Sequence, residues 1–327
     1  MHPFEYIRPS DVRHAVTAAA DPGAAFLAGG TTQVDLMKDG VLGPRVLIDI
    51  TRLPLRGVAL VGGVIRVGAL TTMEELAADP VVADRLTVVR ESLLQAASPQ
   101  LRNMATVGGN LLQRTRCRYY RDLSCACNKR SPGSGCEALD GQHRMHAILG
   151  TSEHCIATHA SDLAVALVAL DAVVRIQGVA GERAVPLTGF YRTPGEDPSV
   201  ENVLEPGELI TSVEIPLLPE EARSRYLKVR DRASYEFALA SVAVALVTAD
   251  GVTRDARVAL GGLATVPWRS RAAEEVLRGV PVTPDTCIAA AEAALSGAVP
   301  HPGNAYKMEL GKRAVARALS MVAGGSG

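Results

Sequence analysis

Four cysteines, Cys117, Cys127, Cys136 and Cys155, are spread through one Gly- and Arg-rich stretch that reads poorly as helix or strand. Such a segment buries too little apolar surface to order itself and needs a cross-link. Thiolate sulfur supplies one by ligating zinc or an iron–sulfur cluster. The gaps between the four are nine, eight and eighteen residues, and Cys125-x-Cys127 is the one close pair. Structural zinc sites pair their ligands in tight knuckles, so wide gaps suit a cluster wrapped by a loop, although His143, His146, His154 and His159 keep zinc open. The sixth cysteine, Cys287, falls in a helical pattern near the C-terminus and reads as a core thiol.

With 327 residues the chain has material for two or three cored units. Its 34 basic and 35 acidic residues leave a formal charge of −1, which gives no electrostatic case for nucleic acid or an anionic membrane. The N-terminal Met1 to Tyr6 has no basic segment leading into an apolar core, so folding in the cytoplasm is expected. Disulfides are correspondingly disfavoured against metal or free thiols. The most apolar helix candidate, Leu163 to Val174, is too short for a bilayer and is interrupted by Asp171, so no membrane span is expected. From Arg114 to Arg130, five arginines and Lys129 face only Asp122, which fits either a solvated face or countercharge for thiolates. No Ser-His-Asp set, no paired carboxylate motif and no nucleophilic cysteine outside the loop is visible, so nothing here points to bond cleavage by side chains.

A helix from Ser10 ends at Pro22-Gly23, and the strand Ala25 to Leu27 runs into a first Gly-rich turn, Ala28 to Thr32. A short helix over Asp35 to Lys38 and the strand Val46 to Ile50 follow. Gly62-Gly63 marks a two-residue hairpin between Val58–Val61 and Val64–Val67. Thr72 and Glu75 form a capping box, Leu86 to Ala97 has helical periodicity, and Thr106 to Asn110 is a second Gly-rich turn. After the cysteine loop, Ser161 caps a helix to Leu170, and strands are expected at Val173 to Gln177 and Leu209 to Ile215. Beyond Pro216 to Glu221, three strands read as an antiparallel sheet with helices Ser270–Leu277, Pro284–Leu295 and Tyr306–Val322 on one face. Only the Gly324 to Gly327 tail is low in complexity. Backbone amides in two Gly-rich turns suit a ligand with two phosphates, although neither turn matches a dinucleotide or phosphate-loop fingerprint.

In order, LAGGTTQVDLMK (27–38), QLRNMATVGGN (100–110), SDLAVALVALD (161–171), PGELITSVEIP (206–216) and GGLATVPWRSRAAEEVLRG (261–279) resemble the FAD-binding subunit of the molybdenum hydroxylases, the xanthine dehydrogenase and carbon monoxide dehydrogenase family. That subunit's Gly-Gly-Asn turn is usually followed closely by the Ser-Asp element, whereas here roughly fifty residues separate Asn110 from Ser161. The insertion, with Cys-Asn-Lys-Arg-x-Pro-Gly-Ser-Gly-Cys over 127–136 and a later Cys, resembles that of periplasmic-type bacterial aldehyde oxidoreductases, where it binds an additional [4Fe-4S] cluster.

The resemblance implies an α+β fold: a two-part FAD-binding domain over 1–217 with an iron–sulfur insertion over 111–160, and a C-terminal antiparallel sheet covered by helices over 218–327. It implies cluster ligation by Cys117, Cys127, Cys136 and Cys155, with Cys125 open as a substitute. FAD would contact Ala28, Gly29, Gly30, Thr31, Thr32, Gln33, Thr106, Gly108, Gly109, Asn110, Asp162, Ile210 and Lys228. Asp162 also reads as an ordinary helix N-terminal acid. Small residues at Ala96 and Ala97 stand where some relatives stack an aromatic ring on the flavin. By the same resemblance, a small subunit with two [2Fe-2S] clusters and a large subunit with the molybdenum cofactor complete a heterotrimer or a dimer of heterotrimers. The substrate is oxidised on the large subunit, and this chain passes electrons from FAD to an acceptor. A partner's export signal would make the final compartment either cytoplasm or periplasm. A free-standing flavin oxidase and a non-redox subunit with a structural zinc loop are the alternatives.

Overall fold

A computed structural model describes residues 1–324, so residues 325–327 of the low-complexity tail lie outside the described residues. Alternating apolar residues build three sheets, and the order of their strands explains how the chain is divided. Strands β1 (Glu5–Ile7), β2 (Ala24–Leu27) and β3 (Val46–Asp49) form a small parallel sheet in the order β1-β3-β2. Strands β4 (Val58–Val61), β5 (Val64–Gly68), β6 (Val173–Gly178), β7 (Gly181–Pro186) and β8 (Leu209–Pro216) form an antiparallel sheet in the order β4-β5-β8-β6-β7. In the β4–β5 hairpin Gly62 and Gly63 both have positive φ, 58° and 78°, the conformation that tight two-residue hairpins demand. The third sheet, β9 (Arg223–Val229), β10 (Ala240–Ala249), β11 (Val252–Gly261) and β12 (Trp268–Arg269), is antiparallel throughout and ordered β12-β11-β10-β9.

Helices Arg271–Leu277, Pro284–Ala294 and Tyr306–Ala323 bury one face against the third sheet, and Val315, Leu319 and Val322 belong to that core. Cys287 is buried there as well. Every residue of helix Asp162–Ala169 is buried, because it packs against the helix Thr87–Leu94 and against strands β10, β11 and β12. Its N-terminus, held by the Ser161 hydroxyl on the Ala164 amide at 2.9 Å, therefore opens into the interior of the molecule.

Several elements differ from expectation. The periodic stretch from Leu86 is a helix only over Thr87–Leu94, and Ala97 takes φ +48° beyond its end. A separate helix, Pro80–Arg85, precedes it, started by Pro80 at N1 and by Asp79 capping Val81 and Val82. The second Gly-rich turn is the short helix Val107–Leu111, with Thr106 as its cap. Strand β7 was not expected, since its Gly-Glu-Arg-Ala-Val-Pro sequence is that of a solvated edge strand with little apolar content. Among the described residues no helix is long and apolar enough to cross a membrane.

Candidate cofactor sites

The turn Ala28 to Gln33 leaves β2 and carries six consecutive backbone N–H groups with no protein acceptor among the described residues. Backbone donors that are half-buried and unpaired are uncommon, and a run of them is an anion-binding surface. Gly30 holds φ +72° in this turn. Gly29 has no room for a side chain: a Cβ would lie 1.8 Å from the carbonyl oxygen of Met104. The first Gly-rich turn is thus packed, backbone on backbone, against the chain leading into the second.

The second element behaves differently. The amides of Val107, Gly108 and Asn110 donate to Thr71, Ala69 and Thr106 carbonyls, and Gly109 donates to Thr106 Oγ1 at 3.2 Å. Its amides are occupied within the protein, and Gly108 is required by contact, with a Cβ 3.0 Å from that of Ala69. The Asn110 side chain turns to the next element, where Ser161 Oγ donates to its Oδ1 at 2.5 Å.

Asp162 and Lys228 meet each other. The Lys228 ammonium lies 2.7 Å from Asp162 Oδ2, and Tyr226 donates its hydroxyl to Oδ1 at 2.7 Å, all fully buried. Burial pushes the Asp162 carboxyl up, opposed by Lys228, Tyr226 and Arg230. Ile210 stands apart, with its side chain in the main hydrophobic core. Beside the pair runs a cleft of about 410 Å³, lined by Ser161, Asp162, Ser241, Gly262, Arg116 and Cys117. The Ser241 hydroxyl is buried there with no hydrogen-bond partner among the described residues. Arg116 donates to Thr32 Oγ1 at 3.3 Å, packs on Phe237 and keeps a buried Nε with no acceptor among the described residues. Ser241, Tyr226 and Arg116 had no sequence signal of their own: two are strand residues, and the third was one basic residue among six.

In the insertion, Cys127 and Cys136 face each other across a single antiparallel bridge. Cys117 and Cys155 are close enough for their charges to oppose one another and that of Cys127. Burial pushes the Cys117 thiol up to about 12 and the Cys155 thiol up to about 11. Against this, the Ala157 amide donates to Cys155 Sγ at 3.5 Å, and nearby backbone amides of Tyr119 and Tyr120 at Cys117 and of Ala138, Leu139 and Ile156 at Cys136 favour the thiolates. Cys125 belongs elsewhere, among Asp122, Glu137 and Ser124. The 127–136 motif is self-supporting: the Cys127 amide donates to Ser134 Oγ at 3.1 Å and the Gly135 amide to Asn128 Oδ1 at 2.8 Å. Arg130 donates to the Tyr119 and Tyr120 carbonyls at 2.9 and 2.7 Å.

Three of the four candidate histidines have local partners. His143 reaches Leu139 O at 2.8 Å, His154 reaches Glu196 at 3.0 Å, and His159 lies edge-on to Tyr191. Only His146 approaches a cysteine sulfur. The basic run is spent in the same region: Arg114 and Lys129 pair with Glu201, and Arg116 and Arg121 with Asp35.

Residues 2–218 match the family model described as the FAD binding domain in molybdopterin dehydrogenase, and residues 225–322 match the CO dehydrogenase flavoprotein C-terminal domain. The chain is 46% identical over 324 residues, 98% of each chain, to the aldehyde oxidoreductase FAD-binding subunit PaoB of Escherichia coli (strain K12). It is 28% identical to the carbon monoxide dehydrogenase medium chain of Hydrogenophaga pseudoflava, covering 97% of this chain and 96% of that one. A solved carbon monoxide dehydrogenase from Hydrogenophaga pseudoflava superimposes with a TM-score of 0.78 at 28% identity, covering 98% of each chain. The chain belongs to the FAD-binding subunit family of the molybdenum hydroxylases, and is a subunit of an oxidoreductase in the class that includes aldehyde oxidoreductase and carbon monoxide dehydrogenase.

Proposed function

We propose that this chain is the electron-transfer subunit of a molybdenum-dependent aldehyde oxidoreductase, accepting electrons from [2Fe-2S] clusters of a small partner subunit and delivering them to an external acceptor. We further propose that its insertion over 111–160 holds a [4Fe-4S] cluster on Cys117, Cys127, Cys136 and Cys155. The observation that carries the cluster reading is the gathering of four half-buried or buried thiols in one insertion, with Cys127 facing Cys136 across a bridge and Cys155 accepting the Ala157 amide. Buried thiolates need cationic compensation, and amide donors to sulfur are a recurrent feature of iron–sulfur sites. Among the described residues no three His, Cys, Asp or Glu side chains converge as on a single ion. A four-iron cluster does not ask them to, because each thiolate bonds a different iron.

The chain's own residues fit FAD at the first Gly-rich turn, where the unpaired amides of Ala28 to Gln33 receive diphosphate oxygens. Gly108, Gly109 and Asn110 contribute shape beneath it, since their amides are already engaged, and Thr106 caps them. The cleft beside Asp162 and Lys228 takes the remainder, and the unpartnered Ser241 hydroxyl supplies a hydrogen bond within it. Bound FAD supplies exchange between one-electron carriers and a two-electron acceptor. Support for aldehyde as the substrate class comes from the 46% identical relative, named as an aldehyde oxidoreductase subunit. The large subunit with its molybdenum cofactor, and a heterotrimer or its dimer, belong to the same reading.

The test is metal and flavin analysis of the complex co-expressed with its small and large subunits and purified anaerobically. We expect one FAD per chain, and a loss of about four irons with sulfide in Cys136→Ser, the stoichiometry of one [4Fe-4S] cluster. One zinc lost instead would sink the cluster and return the loop to a structural role. Absence of flavin from the wild-type complex would sink the FAD site.

A further inference from the structure

We propose that His146 donates an Nε2–H hydrogen bond to the Cys117 sulfur and thereby sets the reduction potential of the cluster; this rests on the four-iron reading above. His146 is 4% exposed, and its Nε2 lies 3.3 Å from Cys117 Sγ. Its Nδ1 is buried and has no partner among the described residues. The ring is held from behind: the His146 amide donates to His143 O at 2.7 Å, and the wholly buried Asn304 donates its side-chain amide to the His146 and Ala147 carbonyls at 3.3 and 3.1 Å.

A cluster-bound thiolate has no proton and can only accept. Were the imidazole proton on Nδ1 alone, two lone pairs would face each other across the 3.3 Å contact, and a buried N–H would lack an acceptor. The other neutral tautomer, with the proton on Nε2 alone, removes both penalties. The remaining bare Nδ1 is an unpaired acceptor rather than an unpaired donor.

The arrangement singles out one ligand. Cys155 receives a backbone donor, the Ala157 amide, which side-chain substitution cannot remove, whereas Cys117 receives a side-chain donor. A hydrogen bond to a ligating sulfur withdraws electron density from the iron and favours the reduced cluster. Cys117 and His146 both line the cleft shared with Ser161 and Asp162, so the tuned ligand is the one on the flavin-binding side.

The experiment is a redox titration of the intact complex, following the four-iron signal by electron paramagnetic resonance, in wild type, His146→Leu and His146→Gln. The Leu variant is expected to retain iron and shift this signal to a more negative potential, with the [2Fe-2S] signals unmoved. The Gln variant, which keeps an N–H, is expected to move back toward wild type. An unchanged potential in an iron-replete Leu variant overturns the inference while leaving the cluster in place. If the Leu variant loses iron, retention in the Gln variant supports the donor, and loss from both overturns it in favour of packing. A wild-type complex without a four-iron signal overturns the cluster reading itself, a result distinct from all of these.

Discussion

Cys125 and Cys127 are separated by a single residue, yet only Cys127 joins the other three cysteines; Cys125 lies among Asp122, Glu137 and Ser124. Replacing Cys125 with serine is therefore expected to leave the iron content of the complex unchanged, whereas Cys127→Ser loses about four irons, one cluster's worth. Iron and sulfide determination on both variants checks this, and loss of iron from Cys125→Ser would put that thiol among the ligands. Spacing alone could not separate these two cysteines, because the choice depends on how the loop turns between Asp122 and Cys127. Gly29 poses the opposite case, a residue visible in the sequence for one reason to which the structure adds a second. It reads as a glycine that keeps backbone amides open to phosphate, and the Met104 carbonyl in addition occupies the space of its missing side chain. Gly29→Ala should cost about 1–3 kcal/mol through overpacking, with a lowered melting temperature and reduced flavin retention. A variant with wild-type melting and full flavin would show that the two turns are free to separate.

At the scale of elements, the features legible in the sequence are those with local causes. The Gly62-Gly63 hairpin needs two residues of positive φ, and the Thr72–Glu75 capping box closes on itself at 2.8 and 3.2 Å. The insertion was legible through its cysteines and its length, but its anchorage was not, because the acids that hold it lie far away in sequence. Glu201 forms an ion pair with Arg114 at 2.6 Å and accepts Lys129 at 2.9 Å, each from the cysteine loop. Asp35, on the helix Gln33–Lys38 after the first Gly-rich turn, takes Arg121 at 2.7 Å. The basic run is thus neither a solvated face nor only a countercharge to thiolates; it docks the insertion. Glu201→Gln keeps the volume and removes the charge from two charge-assisted contacts, each worth about 1.5–3 kcal/mol. The expected result is faster loss of iron to a chelator with unchanged far-ultraviolet circular dichroism. Iron release at the wild-type rate would assign the docking to the cysteine loop's other contacts.

For the whole molecule, the decisive feature is the seam between the helix Thr87–Leu94, the helix Asp162–Ala169 and β9. Glu91 accepts the Tyr226 amide at 2.7 Å and Arg225 at 3.0 Å, and Gln95 O accepts Lys228 at 3.1 Å and Arg230 at 2.9 Å. At its centre is the buried Asp162–Lys228 pair, whose mutual contact was not legible in the sequence because each residue was weighed singly. Removing one charge there strands the other in a low-dielectric interior, so Lys228→Met should cost about 3–5 kcal/mol at neutral pH. The sign with pH follows from linkage. Without Lys228 the Asp162 carboxyl, already raised by burial, rises further above its unfolded value of about 3.9. A group whose folded pKa is raised contributes stability that is fully present below the unfolded pKa and lost as pH rises through the folded one. The Lys228→Met deficit should therefore be smaller in mildly acidic than in neutral buffer. Asp162→Asn combined with Lys228→Met should recover much of the loss at both, since no buried charge remains. Denaturant melts of the single and double variants at the two pH values decide it. A deficit independent of pH and unrelieved in the double variant would mean that the seam is held by packing, with the ion pair incidental to it.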